Sequence, residues 1–140
     1  LQNIPIRRAL GRDIRRGFVP RKGWQLFSAD YSQIELRLLA HFSEDPAFVE
    51  AFRSGGDIHR QTASIIFGVP LGEVTSEMRD RAKTINFATI YGIGPFALSR
   101  QLKITNAEAR AFIDTYFERF QGVKRYLETR VEFAKQHGYV

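Results

Sequence analysis

Apolar residues recur at helical spacing through most of this 140-residue chain. In "SQIELRLLAHF" (32–42), Ile34, Leu38 and Leu39 fall on one helical face. "SEDPAFVEAFRSGG" has Asp45 as N-cap, Pro46 at the first helical position and Gly55-Gly56 as a stop. "DIHRQTASIIFG" repeats the plan, with Asp57 as N-cap and Gly68 as stop. A long helix begins near Thr75 or Ser76 and runs to about Tyr91, where Gly92 and Gly94-Pro95 end it. "PFALSRQL" predicts a short helix. Thr105 and Glu108 form a capping box that opens "TNAEARAFIDTYFERF", and Gly122 is expected to separate it from a last helix, "VKRYLETRVEFAKQH". One stretch departs from the pattern. "WQLFSADY" (24–31) alternates apolar and polar residues imperfectly and predicts a strand ending on Asp30. Residues 1–23 read as irregular or extended, punctuated by Pro5, Gly11, Gly17, Pro20 and Gly23. A lone strand cannot make a sheet. A chain that opens on "LQNIPI" and stops at "HGYV" is therefore expected to be a piece of a longer protein.

Composition narrows the classes. The apolar share, 44%, is ordinary for a globular domain, and no apolar run approaches a membrane span. The absence of cysteine excludes disulfide frameworks and thiolate metal sites. Lys and Arg outnumber Asp and Glu, 21 to 15. Much of the excess lies in "RRALGRDIRRGFVPRK" (7–22), where Asp13 is the only acid. Such a block suits a polyanion, whose neutralised phosphates release condensed counterions. It suits a solvated surface equally well.

The candidate chemistry sits in "RDRAKTINFATIYG" (79–92). Four-residue steps drift only about 40° each, so Arg79, Lys83, Phe87 and Tyr91 form a slowly winding stripe about 18 Å long. Met78, Ala82 and Ile85 fall on another face and can pack inward. The cations stand toward the N-terminal end, where the helix dipole already favours anions. The aromatic side chains follow. A ligand with a phosphate tail and a flat base matches that order. Spacing alone still favours a structural account, because aromatics at helical spacing are more often core and an Arg and a Lys four apart are usually solvated.

Two motifs shift that balance. "DYSQIELR" (30–37) resembles motif A, and "RDRAKTINFATIYG" resembles motif B, of family A DNA polymerases, the bacterial DNA polymerase I type. "LQNIP", "DIHRQTA" and "FGVP" match the same family in the expected order. The resemblance spans essentially the whole chain. It implies an α+β, mostly helical fold: a partial palm strand followed by the helical fingers subdomain of a DNA polymerase I-like domain. Residues 1–43 would be partial palm with motif A, and residues 44–140 fingers with motif B. The implied activity is DNA-templated DNA synthesis in replication and repair, by nucleotidyl transfer from a dNTP to a primer 3′-hydroxyl with two Mg²⁺ ions. Primer-template DNA and dNTP are the implied partners, in a monomeric bacterial cytoplasmic enzyme with no membrane association.

The family's roles carry over residue by residue. Asp30 would ligate both metal ions, with the main-chain carbonyl of Tyr31 completing one shell; oxygen donors suit Mg²⁺. Glu35 would close the space of a ribose 2′-hydroxyl. Arg79 and Lys83 would hold the triphosphate, Lys83 also donating a proton to the leaving pyrophosphate. Phe87 would pack on sugar and base. Tyr91 would guard the insertion site, and Phe96 would shape the template path. His59 would touch the β-phosphate, and Arg7 would contact DNA or nucleotide. Without the motifs, Glu35 would read as a surface residue paired with Arg37 or another neighbour, and His59 as an ordinary core or surface histidine. Three positions depart from the family pattern: Ala88 stands where Gly is frequent, and Ile93-Gly94 where Met-Ser is common. The family's second metal-binding aspartate lies in a His-Asp-Glu triplet, and this sequence contains none. The resemblance therefore implies that the fragment is inactive alone. A single-subunit RNA polymerase fragment is the nearest alternative, countered by Glu35 and Phe87. A non-catalytic basic module that binds nucleic acid explains the Arg-rich front but not Asp30 or the stripe.

Overall fold

The computed structural model describes residues 3–6 and 8–140. Arg7, expected to contact DNA or nucleotide, lies outside the described residues. The chain divides into two units, residues 1–32 and 33–140.

Among its described residues the first unit holds one helix, α1 (Ala9–Arg16). The punctuation of residues 1–23 pointed to irregular chain, so this helix is a correction. A single interior glycine costs only about 1 kcal/mol relative to Ala. Ala9, Leu10 and the arginines are good helix formers, and Arg15 and Arg16 sit in the last turn, where the dipole favours cations. Asp13 adds an ion pair with Arg16 at 3.2 Å. The expected strand at 24–31 is also corrected. Residues 24–30 carry no ladder, and no strand occurs among the described residues. Strand geometry persists only when its N–H and C=O groups find a neighbour. With none, Trp24, Leu26 and Phe27 remain exposed, Phe27 at 91%. The fold among the described residues is thus helical rather than α+β.

The second unit contains α2 (Ile34–Ser43), α3 (Pro46–Arg53), α4 (Ile58–Phe67), a single 3₁₀ turn (Leu71–Glu73), α5 (Ser76–Ile90), α6 (Pro95–Leu102), α7 (Asn106–Arg119) and α8 (Gln121–His137). Its starts follow the side-chain chemistry. Asp45 and Asp57 each accept two backbone N–H bonds at the openings of α3 and α4. Thr75 caps α5, and Thr105 with Glu108 closes the full capping box on α7. Gly68, at φ 64°, ends α4, and Gly92, at φ 65°, follows α5. One core joins these helices: Leu36 and Leu39 from α2, Phe48 from α3, Ile58 from α4, Ile85 and Ala88 from α5, Leu98, Tyr116, Phe120 and Val123. Phe48, Tyr116 and Phe120 meet edge to face, with Phe48–Phe120 and Tyr116–Phe120 centroids both 4.8 Å apart. A smaller cluster of Ala63, Val74 and Ala82, covered by Phe67, Val69 and Met78, seals α4 against α5.

Gly122 does not separate the last two helices. The break falls at Phe120 (φ −106°, ψ 62°), and Gly122 lies inside the first turn of α8. Its N–H donates to Oδ2 of Asp45 at 2.8 Å, and a Cβ there would stand 2.8 Å from the Asp45 Cα. The glycine is a close-approach residue rather than a helix breaker.

Candidate functional site

Helix α5 carries the predicted stripe, and it is neither buried core nor freely solvated surface. Ala82, Ile85, Asn86, Ala88 and Thr89 face inward. Lys83 and Tyr91 are exposed, whereas Arg79 and Phe87 are half-buried. Phe87 rests against the main core on one side.

At the N-terminal half of α5, Arg79 is held by the carboxylate that opens α4. Its Nε donates to Asp57 Oδ2, and Nη1 lies 3.7 Å from Asp80. The Arg79 guanidinium and two backbone N–H donors more than offset partial burial, so the Asp57 carboxyl sits below its ordinary range. The other Asp57 oxygen accepts from the backbone N–H of His59 at 3.0 Å and of Arg60 at 3.3 Å. One carboxylate therefore caps α4 and fixes the cation of α5.

His59 is almost completely buried, at 2% exposure. Burial pushes its pKa down to about 4; Asp57 opposes the shift, and the nearby positive charges of Arg79 and Lys83 reinforce it. The imidazole is neutral near pH 7. Its Nδ1 is 2.9 Å from Nδ2 of Asn86, whose Oδ1 accepts from the Thr62 hydroxyl at 3.2 Å. The His59 and Phe87 rings are 5.9 Å apart, centroid to centroid. The family resemblance singled out His59, and the spacing singled out the stripe, but neither gave Asp57 as a partner of Arg79, and both missed Asn86 and Thr62 altogether. A signal existed: Asn86 interrupts the apolar, inward-facing side of α5.

At the other end of α5, the Tyr91 hydroxyl donates to Oε1 of Glu35 at 2.9 Å. The carboxylate as acceptor raises the tyrosine's pKa. The sequence offered Arg37 as a partner for Glu35; the partner is instead 56 residues away in the chain. Arg37 lies over the ring of Phe52. Phe96, on the first turn of α6, is exposed. In the first unit, Asp30 and Tyr31 are both exposed. Along α1, Arg8, Arg12 and Arg16 stand four residues apart and are exposed. Among the described residues, no group of three or more His, Cys, Asp or Glu is gathered as a metal cluster. No described helix is long and apolar enough to cross a membrane.

The whole chain, residues 1–140, matches the model of DNA polymerase family A. Over 141 aligned residues it is 57% identical to DNA polymerase I of Bacillus subtilis, and over 140 it is 51% identical to DNA polymerase I of Caldicellulosiruptor bescii. Each alignment covers 100% of this chain and 16% of the relative. The chain thus spans about a sixth of the length of these relatives. Among solved structures, it superposes with a TM-score of 0.88 and 45% identity on the POL domain of Pol1 from M. smegmatis in complex with DNA primer-template and dNTP. That match covers 100% of this chain and 25% of the neighbour.

Proposed function

The chain belongs to DNA polymerase family A, and on that premise we propose that it is the nucleotide-binding part of a DNA-templated DNA polymerase, with residues 1–43 at the palm edge and 44–140 forming the fingers. The observation that carries this reading is the composition of the α5 face. It runs from Arg79 and Lys83, through a half-buried Phe87, to an exposed Tyr91 bonded to Glu35. A deoxynucleoside triphosphate has matching parts in the same order. Its phosphates meet Lys83 and the outer nitrogens of Arg79, near the helix end where the dipole is positive. Its sugar and base lie on Phe87. Tyr91 and Glu35 lie beyond, and Glu35 occupies the volume that a 2′-hydroxyl needs.

Asp30 supplies a hard carboxylate oxygen and Tyr31 a main-chain carbonyl, the donor chemistry that Mg²⁺ prefers. Among the described residues no group of three or more His, Cys, Asp or Glu is gathered, and Asp30 with Tyr31 would form one part of a metal site. Mg²⁺ held there would supply charge stabilisation to the reacting oxygens. The chain's own groups position and neutralise: Lys83 protonates the departing pyrophosphate, and Arg79 keeps its orientation through Asp57. The arginines of α1 suit the phosphates of primer-template DNA.

The reading is tested by Lys83→Ala in the polymerase that contains this chain. Loss of one charged donor to the reacting phosphates should lower kcat/KM for dNTP by about a hundred-fold or more. DNA binding in the absence of dNTP should stay near wild type. Unchanged kcat/KM in a folded variant overturns the assignment.

A further inference from the structure

The buried polar chain behind the stripe is absorbed by neither packing nor the roles already assigned. Asn86 and Thr62 are both 0% exposed, yet the Asn86 amide is spent between the Thr62 hydroxyl on one side and the His59 ring on the other. Burying an amide and a hydroxyl is costly unless they are paired, so this arrangement is a specific one. Its directionality fixes the proton on the imidazole. The structure sets Asn86 Oδ1 against the Thr62 hydroxyl, which donates to it, and turns the amide N–H₂ toward His59. An N–H₂ only donates, so Nδ1 must be the unprotonated acceptor. The remaining proton then resides on Nε2.

We propose that Asn86 and Thr62 are positioning residues that lock His59 as the neutral Nε2–H tautomer, giving the nucleotide site an uncharged N–H donor of fixed orientation. The lock rests on the triphosphate-binding reading only for its consequence, a hydrogen bond from Nε2–H to a phosphate oxygen. Its own basis is the geometry behind the ring. A neutral donor suits this place. Arg79 and Lys83 already bring two positive charges near the ring. A third buried charge beside them would carry a desolvation cost and like-charge repulsion. The surrounding ionisable groups are Asp57 at the start of α4, and Arg79, Asp80 and Lys83 on α5.

The test reads the tautomer directly. The polymerase containing this chain is labelled with ¹⁵N-histidine, and the His59 signals are assigned by their loss in His59→Gln. Wild type should show protonated Nε2 and unprotonated Nδ1 at pH 7. Thr62→Val removes the donor that orients the amide and should give a mixture of tautomers. Thr62→Ser retains the donor and should restore the wild-type pattern. Asn86→Asp offers Nδ1 only an acceptor and should move a proton onto it. A wild-type ring carrying its proton on Nδ1 overturns the lock, and so does an unchanged pattern in folded Thr62→Val and Asn86→Asp. The wild-type spectrum alone is decisive should a variant not fold. Kinetics then separate the lock from its consequence. Thr62→Val should raise the KM for dNTP, by up to about ten-fold if a hydrogen bond to a charged acceptor is lost. Its kcat should fall less than its KM rises, and Thr62→Ser should recover both. A shifted tautomer with unchanged KM upholds the lock and overturns the placement of His59 on the triphosphate.

Discussion

At the scale of single residues, the chemistry is set by which partner each charge finds. Glu35 binds Tyr91 rather than a helical neighbour. A Glu35→Ala change in the polymerase containing this chain should open the sugar pocket. Ribonucleotide incorporation relative to deoxyribonucleotide should rise at least about ten-fold, measured by competitive primer extension. No change would remove Glu35 from that role. His59 makes a separate, thermodynamic prediction. Its pKa is about 4 in the fold against 6.5 as the ordinary value. Above pH 6.5 the ring is neutral in both states and contributes no pH dependence. As the pH falls from 6.5 toward 4, the unfolded chain takes up a proton that the native ring refuses, and stability declines. The slope is at most about 1.4 kcal/mol per pH unit, or about 3 kcal/mol over the window. Urea denaturation across pH 4–7 should show this decline, and His59→Gln should flatten it. Asp57 acts in a different window. Its carboxyl is lowered by Arg79 and backbone donors, so its contribution is lost only below its ordinary value of 3.8.

At the scale of elements, helix ends bear much of the specificity. Asp45 is 2% exposed and serves two helices at once. Oδ1 accepts from the N–H groups of Ala47 and Phe48, and Oδ2 accepts from Gly122 on α8. Asp45→Ala should cost about 2–4 kcal/mol in chemical denaturation. Lost caps account for about 1 kcal/mol each, and an unpaired buried amide for the rest. Gly122→Ala drives a methyl into the Asp45 backbone and should cost about 1–3 kcal/mol. An effect below about 0.5 kcal/mol in both would mean that the α3–α8 junction relaxes freely. The same logic explains why caps were legible in advance: Asp45, Asp57, Thr75 and Thr105 act on backbone groups two or three residues away. Gly122 misled because its reason is a contact 77 residues distant in sequence.

At the scale of the whole molecule, the two units differ in kind. Residues 33–140 close a core around Phe48, Tyr116 and Phe120. Residues 1–32 leave Trp24, Leu26, Phe27 and Tyr31 exposed, in the stretch that ends on the metal-ligating candidate Asp30. A transfer reaction with two divalent ions needs more carboxylate than this stretch supplies. Primer extension by the isolated 140-residue chain with Mg²⁺ and dNTP should therefore stay at background. Incorporation above background would show that the residues here suffice.

The sequence by itself determined the presence of the helices of residues 33–140, the caps at Asp45, Asp57, Thr75 and Thr105, and the order of cations and aromatics on α5, because each depends on neighbours within about one or two turns. The motifs likewise identified the family without any coordinates. Tertiary structure alone decided the pairing of Arg79 with Asp57, of Tyr91 with Glu35, and of His59 with Asn86 and Thr62. It also decided that residues 24–30 carry no strand. Such outcomes depend on groups from distant parts of the chain meeting in space: a hydrogen bond needs its partner, and a strand needs a neighbour, neither of which local spacing can supply.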